Sequence, residues 1–227
     1  MKAKFGAIVV AGSGKIGGHV ASRNRAGAYF RTKVTPVNPN TSFQAAARSR
    51  LTSFAQNWRA LTAAQRIAWN AAVGDFSKTD IFGDLKNPTG FNLYQKLNNV
   101  ININGGAALT SPPVPEAIPT ISALSLVMDA TIPTYTATFS PAIDISVVMM
   151  LFATAPVSAG KSFVKSEYRY IGTISDADVS PFNFTALYTA KFGVAPIGQK
   201  VFLKFVPAGI TSGQQGVALS ASTIVIA

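Results

Sequence analysis

The pattern of apolar and polar positions changes period twice along the chain. Residues 5–34 read as extended backbone: Phe5 to Val10 is apolar and β-branched, a Gly12-Ser13-Gly14-Lys15 turn follows, and Ile16 to Val20 returns as a hairpin partner. Ala28 to Val34 alternates bulky and basic residues as a third strand, and Pro36 and Pro39 stop the sheet. From Thr41 the spacing becomes helical, with Phe43, Ala47, Leu51, Phe54 and Trp58 recurring at three or four and Thr41 placed as the N-cap.

Thr62 with Gln65 three residues later is a capping box that opens a second helix through Ile67, Ala68, Trp69 and Val73 to Gly74. A loop carrying Asp75, Asp80 and Asp84 leads to Asn87-Pro88-Thr89-Gly90, after which Phe91, Tyr94 and Leu97 define a short third helix. Three short helices with two Trp predict a small core of their own.

Residues 98–120, with Gly105-Gly106 and four prolines, read as a semi-rigid linker. Beyond it the period is two: Tyr135, Ala137 and Phe139 alternate with Thr134, Thr136 and Thr138, and Val201, Leu203 and Phe205 with Lys200, Phe202 and Lys204. Further strands are expected at 121–128, 145–154, 168–174, 184–190 and 217–226. Seven short strands in this stretch predict a β-sandwich. Val147 to Phe152 does not alternate, so both faces are covered, either within the chain or in a subunit contact made by Val148, Met150 and Phe152.

Composition adds a charge asymmetry. The 227 residues carry 20 Lys and Arg, 9 Asp and Glu, one His and no Cys. Residues 1–100 hold 14 cations and 3 acids, whereas 101–227 hold 6 of each, so the whole net charge of +11 lies in the first part. A negatively charged partner is therefore expected on the N-terminal side, with a solvated basic face as the plainer reading. At 48% hydrophobic and 13% charged residues the chain is too apolar to be disordered. Lys2 and Lys4 precede only a short apolar run, so we expect no export signal, and the long uncharged stretches are too broken or too short for a membrane span.

Motifs for chemistry are present in letter and fail in context. Gly12-Ser13-Gly14-Lys15-Ile16-Gly17 matches G-x-G-x-x-G, yet the next acidic residue is Asp75 and no βαβ succession follows, which leaves a glycine-rich turn. Lys15 is followed by Ile16, not Ser or Thr, so there is no phosphate loop. His19 has no second His or Cys for zinc, and the aspartates sit in turn contexts. We therefore expect no catalytic residue, no metal and no cofactor. The chemical feature that remains is the basic set Lys15, Arg23, Arg25, Arg31, Lys33, Arg48 and Arg50 with Tyr29, which suits phosphates and bases or, equally, acidic surfaces and carbonyls of a neighbouring subunit.

Several blocks carry a resemblance: Gly14 to Val20, Ser22 to Tyr29, Arg31 to Pro39, Trp58 to Thr62 and Trp69-Asn70. Together they resemble an uncharacterised family of phage and prophage virion proteins over about residues 5–100. Residues 119–226 resemble a fibronectin type III or immunoglobulin-like sandwich, without its core Trp and Cys pair. The resemblance implies a non-enzymatic virion structural protein, capsid-associated, connector or tail, made in the bacterial host cytoplasm. It implies partnership with copies of itself and other virion proteins, and no membrane. The alternative is a basic packaging or nucleoid-like protein in contact with DNA. The expected fold class is α+β: a basic β-hairpin arm plus helices over 1–100, a linker over 101–120 and an all-β immunoglobulin-like sandwich over 121–227.

Overall fold

The computed structural model describes the backbone of Lys2–Ala3 and residues 12–24 and 27–227. Among the described residues the chain is mixed α/β, with four α-helices and several antiparallel sheets. It divides into two compact units: Met1–Ser53 with Ser77–Asn87, and Phe54–Phe76 with Pro88–Ala227. These boundaries differ from the expected division at 101–120, for reasons that lie in the second unit.

In the first unit, β1 (Lys2–Ala3), β2 (Gly14–Ile16), β3 (His19–Asn24) and β4 (Gly27–Thr32) form an antiparallel sheet in the order β1-β4-β3-β2. The expected strand Phe5 to Val10 lies outside the described residues. The hairpin turn falls at Gly17-Gly18, not at Gly12 to Lys15, because Gly17 takes φ 54°, a conformation a primed two-residue turn requires and a side chain resists. Gly14 and Lys15 are consequently part of the strand. Thr41 caps α1 (Ser42–Ala60), its hydroxyl accepting the Gln44 N–H at 3.3 Å. A small hairpin, β5 (Lys78–Thr79) and β6 (Leu85–Lys86), occupies what reads in sequence as a loop. Asp80 shapes its turn by accepting the Phe82 N–H at 2.8 Å.

The second unit contains two cores. Around α2 (Ala63–Ala71) and α3 (Gly90–Ile103), Phe54, Leu61, Trp69, Leu93, Tyr94 and Leu97 form the small helical core that the periodicity predicts. Its capping box is reciprocal: the Gln65 N–H donates to Thr62 Oγ1 at 3.2 Å and the Thr62 N–H to Gln65 Oε1 at 2.9 Å. Thr89 caps α3, whose 14 residues run into the stretch expected to be linker. The remaining linker residues are tied down by polar side chains: Trp69 Nε1 donates to the Thr110 carbonyl at 3.0 Å, Gln214 Nε2 to the Val114 carbonyl at 2.7 Å, and Ser212 Oγ to Glu116. Proline and glycine content marks this segment as non-helical, but it is held by partners 41 to 100 residues away in sequence.

The larger core is a sandwich. The sheet β10-β9-β12-β13 comprises β9 (Val147–Ala153), β10 (Arg169–Ile174), β12 (Lys200–Gly209) and β13 (Leu219–Ile224). It faces β11-β8-β7, formed by β7 (Ala123–Asp129), β8 (Thr134–Ser140) and β11 (Phe182–Asn183). In agreement with the alternation, Tyr135, Ala137 and Phe139 point inward with Val201, Leu203 and Phe205, and the Phe139 and Phe205 rings meet at 5.8 Å between the sheets. The expected strand at 184–190 is instead α4 (Thr185–Phe192). Its Thr and aromatic content favours a strand, but Phe184, Tyr188 and Phe192 recur every fourth residue and stack successively, which places one helical stripe on the core. Among the described residues no helix is long and apolar enough to cross a membrane.

Candidate functional site

The first unit concentrates the charge. Its residues include 11 Lys and Arg against Asp80 and Asp84, a balance of +9 out of the chain's +11. Strand register sorts the basic set onto faces. Lys15 pairs with Val20 and Val20 with Arg31, while Ser22 pairs with Tyr29, so Lys15, Arg31 and Tyr29 share one face of the sheet. Arg23 lies on the opposite face with His19, Ala21 and Phe30. Lys33 follows β4, and its N–H closes the sheet end by donating to the Gly18 carbonyl at 2.8 Å.

Arg48 and Arg50 leave the sheet altogether, since both lie on α1. The Arg48 guanidinium donates to Asn38 Oδ1 at 2.7 Å and reaches Asn40 Oδ1 at 3.5 Å, holding the segment that enters the helix. Asn40 has φ 49°, a left-handed conformation that this clamp sustains. Arg25 lies outside the described residues. The eight expected contact residues are thus not one patch: Lys15, Tyr29 and Arg31 come together, Arg23 faces away and Arg48 serves the local fold. Among the described residues Lys15, Arg23, Arg31 and Lys33 have no acidic partner, so their charge is available to a ligand.

A second property of this unit was not signalled by the sequence. Ala21 is its single buried apolar residue among those described. Ile16 is 64% exposed, Val37 84%, Leu51 53% and Leu85 71%. The helical spacing of Phe43, Ala47 and Leu51 predicts a core stripe, but only its continuation through Phe54 and Trp58 packs, in the helical core of the second unit. Periodicity reports which residues share a face and is silent on whether anything covers it.

The expected subunit contact is taken up inside the chain. Val148 and Met150 lie on the outer face of β9 and are buried with Val100 of α3 and Ala208, with Ile103, Phe152 and Val206 packed around them. A helix on the outer face of the sheet is what allows the strand to be apolar on both sides. Phe152, half-buried, stacks edge-on against Tyr170 at 5.7 Å, and Lys204 Nζ lies 5.2 Å from the Phe152 ring centre and 4.5 Å from that of Tyr168. Val148 and Met150 are therefore joints between helix and sheet, and no surface remains at them for a second subunit.

Compared with protein-family models, with curated proteins and with solved structures, the chain matches none.

Proposed function

We propose that this chain is a structural protein of a bacteriophage virion that works by assembly, its basic first unit docking on other virion proteins while the second unit supplies a self-sufficient folded body. One observation carries the reading: the first unit exposes aliphatic side chains and unpaired cations together, with a single buried apolar residue among those described. An element of this kind completes its packing against a neighbour. Its chemistry is association, without a catalytic step. For the second unit, antiparallel strands in the order β11-β8-β7 against β10-β9-β12-β13 support an immunoglobulin-like sandwich in the three-on-four arrangement of fibronectin type III modules. The helix α4 and the absence of a core Trp are its departures from that pattern.

The alternative, a DNA-packaging protein, draws on the +9 balance. It is disfavoured by the division of the cations: Arg23 and Phe30 lie on the face opposite to Lys15, Arg31 and Tyr29, so neither face assembles a long phosphate track with a stacking platform. The test is incorporation into phage particles of Lys15→Ala with Arg31→Ala, which should fall while the sandwich stays folded. Unchanged incorporation would count against the proposal. Light scattering after size exclusion should show a mass indifferent to duplex DNA at low salt; a shift with DNA that high salt reverses would transfer the conclusion to packaging.

A further inference from the structure

Among the described strands β2 is an edge of its sheet and pairs with β3. The two-residue turn Gly17-Gly18 makes Ile16 and His19 the hydrogen-bonded pair that closes the hairpin. Alternation along an antiparallel ladder then turns the Lys15 N–H and C=O away from β3. Neither group has a partner among the described residues. The Lys15 side chain begins the row Lys15, Val20, Arg31, which crosses the sheet and places two exposed cations two strand spacings apart, about 10 Å. A further strand laid on β2 would put its own side chain next to Lys15 in that row, where opposite charge is favoured and like charge is not. On the other face it would meet Ile16, an exposed aliphatic side chain.

We propose that the open edge of β2 accepts an acidic, aliphatic strand from a different protein, by addition to the sheet. This rests on the assembly reading above and names the chemistry of its partner. A second copy of the chain does not fit. Among the described strands only β7 contains an acidic residue, Asp129, and it is already engaged, pairing with Thr134 at the hairpin end of the β7–β8 ladder and bridging to Ile226. The other acids are largely occupied: Glu167 pairs with Lys161, Asp84 with Lys86, Glu116 with Ser212, and Asp144 and Asp178 accept local N–H groups. A phosphate can accept from an outward N–H, but nucleic acid has no peptide backbone to fill both the N–H and the C=O of a strand edge. A protein strand uses both, because backbone hydrogen bonds supply affinity and alternate side chains supply selection.

The test uses the full chain and a short fluorescein-labelled peptide alternating Glu and Val, with the same peptide carrying Lys for Glu and a duplex DNA as comparators. Fluorescence anisotropy at low salt should show binding of the Glu peptide, weakened by salt, and none of the Lys peptide. Lys15→Pro removes the outward N–H without touching the β3 ladder and should cost about tenfold or more in affinity. Lys15→Thr keeps that N–H and removes the charge, so it should cost less than Lys15→Pro. Arg31→Glu should weaken binding about tenfold through the row's charge. Hydrogen exchange at the Lys15 amide should slow when the Glu peptide is added, a reading independent of any variant. No binding of the Glu peptide, equal binding of the Lys peptide, equal affinities of the Pro and Thr variants, or DNA binding tighter with the same Lys15 dependence would each overturn the proposal. Failure of the broader assembly reading would appear in particle incorporation, which this experiment does not measure.

Discussion

Met150→Ala separates an internal joint from a subunit contact. Met150 is 2% exposed on the outer face of β9 and packs in the cluster with Val100 of α3, Val148 and Ala208. Truncation removes three heavy atoms from a packed site, and buried Met→Ala changes cost about 2–5 kcal/mol. The lower half of that range applies, because Ile103 and Phe152 at the edge of the cluster are half-buried and can close over the space. In a unit of roughly 160 residues each kcal/mol moves the midpoint by about 2–4 °C. A loss of about 2–3 kcal/mol therefore lowers Tm by about 4–12 °C. Calorimetry and circular dichroism read that shift, and light scattering on the same samples reads the mass. An unchanged Tm with a reduced solution mass would place Met150 in a contact between copies and refute the reasoning.

Two further outcomes follow from the second unit. Burial, with the neighbouring phenol of Tyr135 as a smaller cause, pushes the Tyr188 phenol well above its ordinary value, and its hydroxyl donates to the Thr154 carbonyl at 3.1 Å. The native state keeps this proton where the unfolded phenol, at about pH 10, releases it, so stability is full below about pH 10 and falls as pH rises further; alkaline denaturation should be shallower in Tyr188→Phe, and an identical pH slope would contradict this. Gly213 has φ 65°, and a Cβ there would collide with the Leu97 carbonyl of α3, so Gly213→Ala should cost about 1–3 kcal/mol or more in urea unfolding, whereas Gly160→Ala, in open space, should change little.

The sequence makes the second unit more legible than the first. Alternation at Thr134 to Phe139 and Lys200 to Phe205, and the Thr62/Gln65 box, are local signals that a strand or a helix start satisfies by itself. What sequence missed depended on partners far along the chain. The stretch 104–120 looks like a linker because its prolines and glycines forbid regular structure, yet Trp69, Ser212 and Gln214 hold it by hydrogen bonds no composition reveals. Residues 184–190 were ambiguous in kind: their composition favours a strand and their aromatic spacing of four a helix, and packing of Phe184 and Tyr188 in the core decides it. The candidate site was legible as charge and not as geometry. Lys15, Arg23, Arg31 and Arg48 are all basic in sequence, but only register separates the two that share a face from the one that points away, and only the Asn38 contact shows Arg48 to be in use.

Hydrogen exchange on the free full chain tests the central claim most directly, because it reads where a folded core supports the backbone. If the first unit awaits a partner, amides of β3 and β4 exchange by local opening far faster than those of β9 and β12, which follow global unfolding. Protection of β3 and β4 equal to that of β9 and β12 would mean that the first unit is stable by itself, and the assembly account would be wrong.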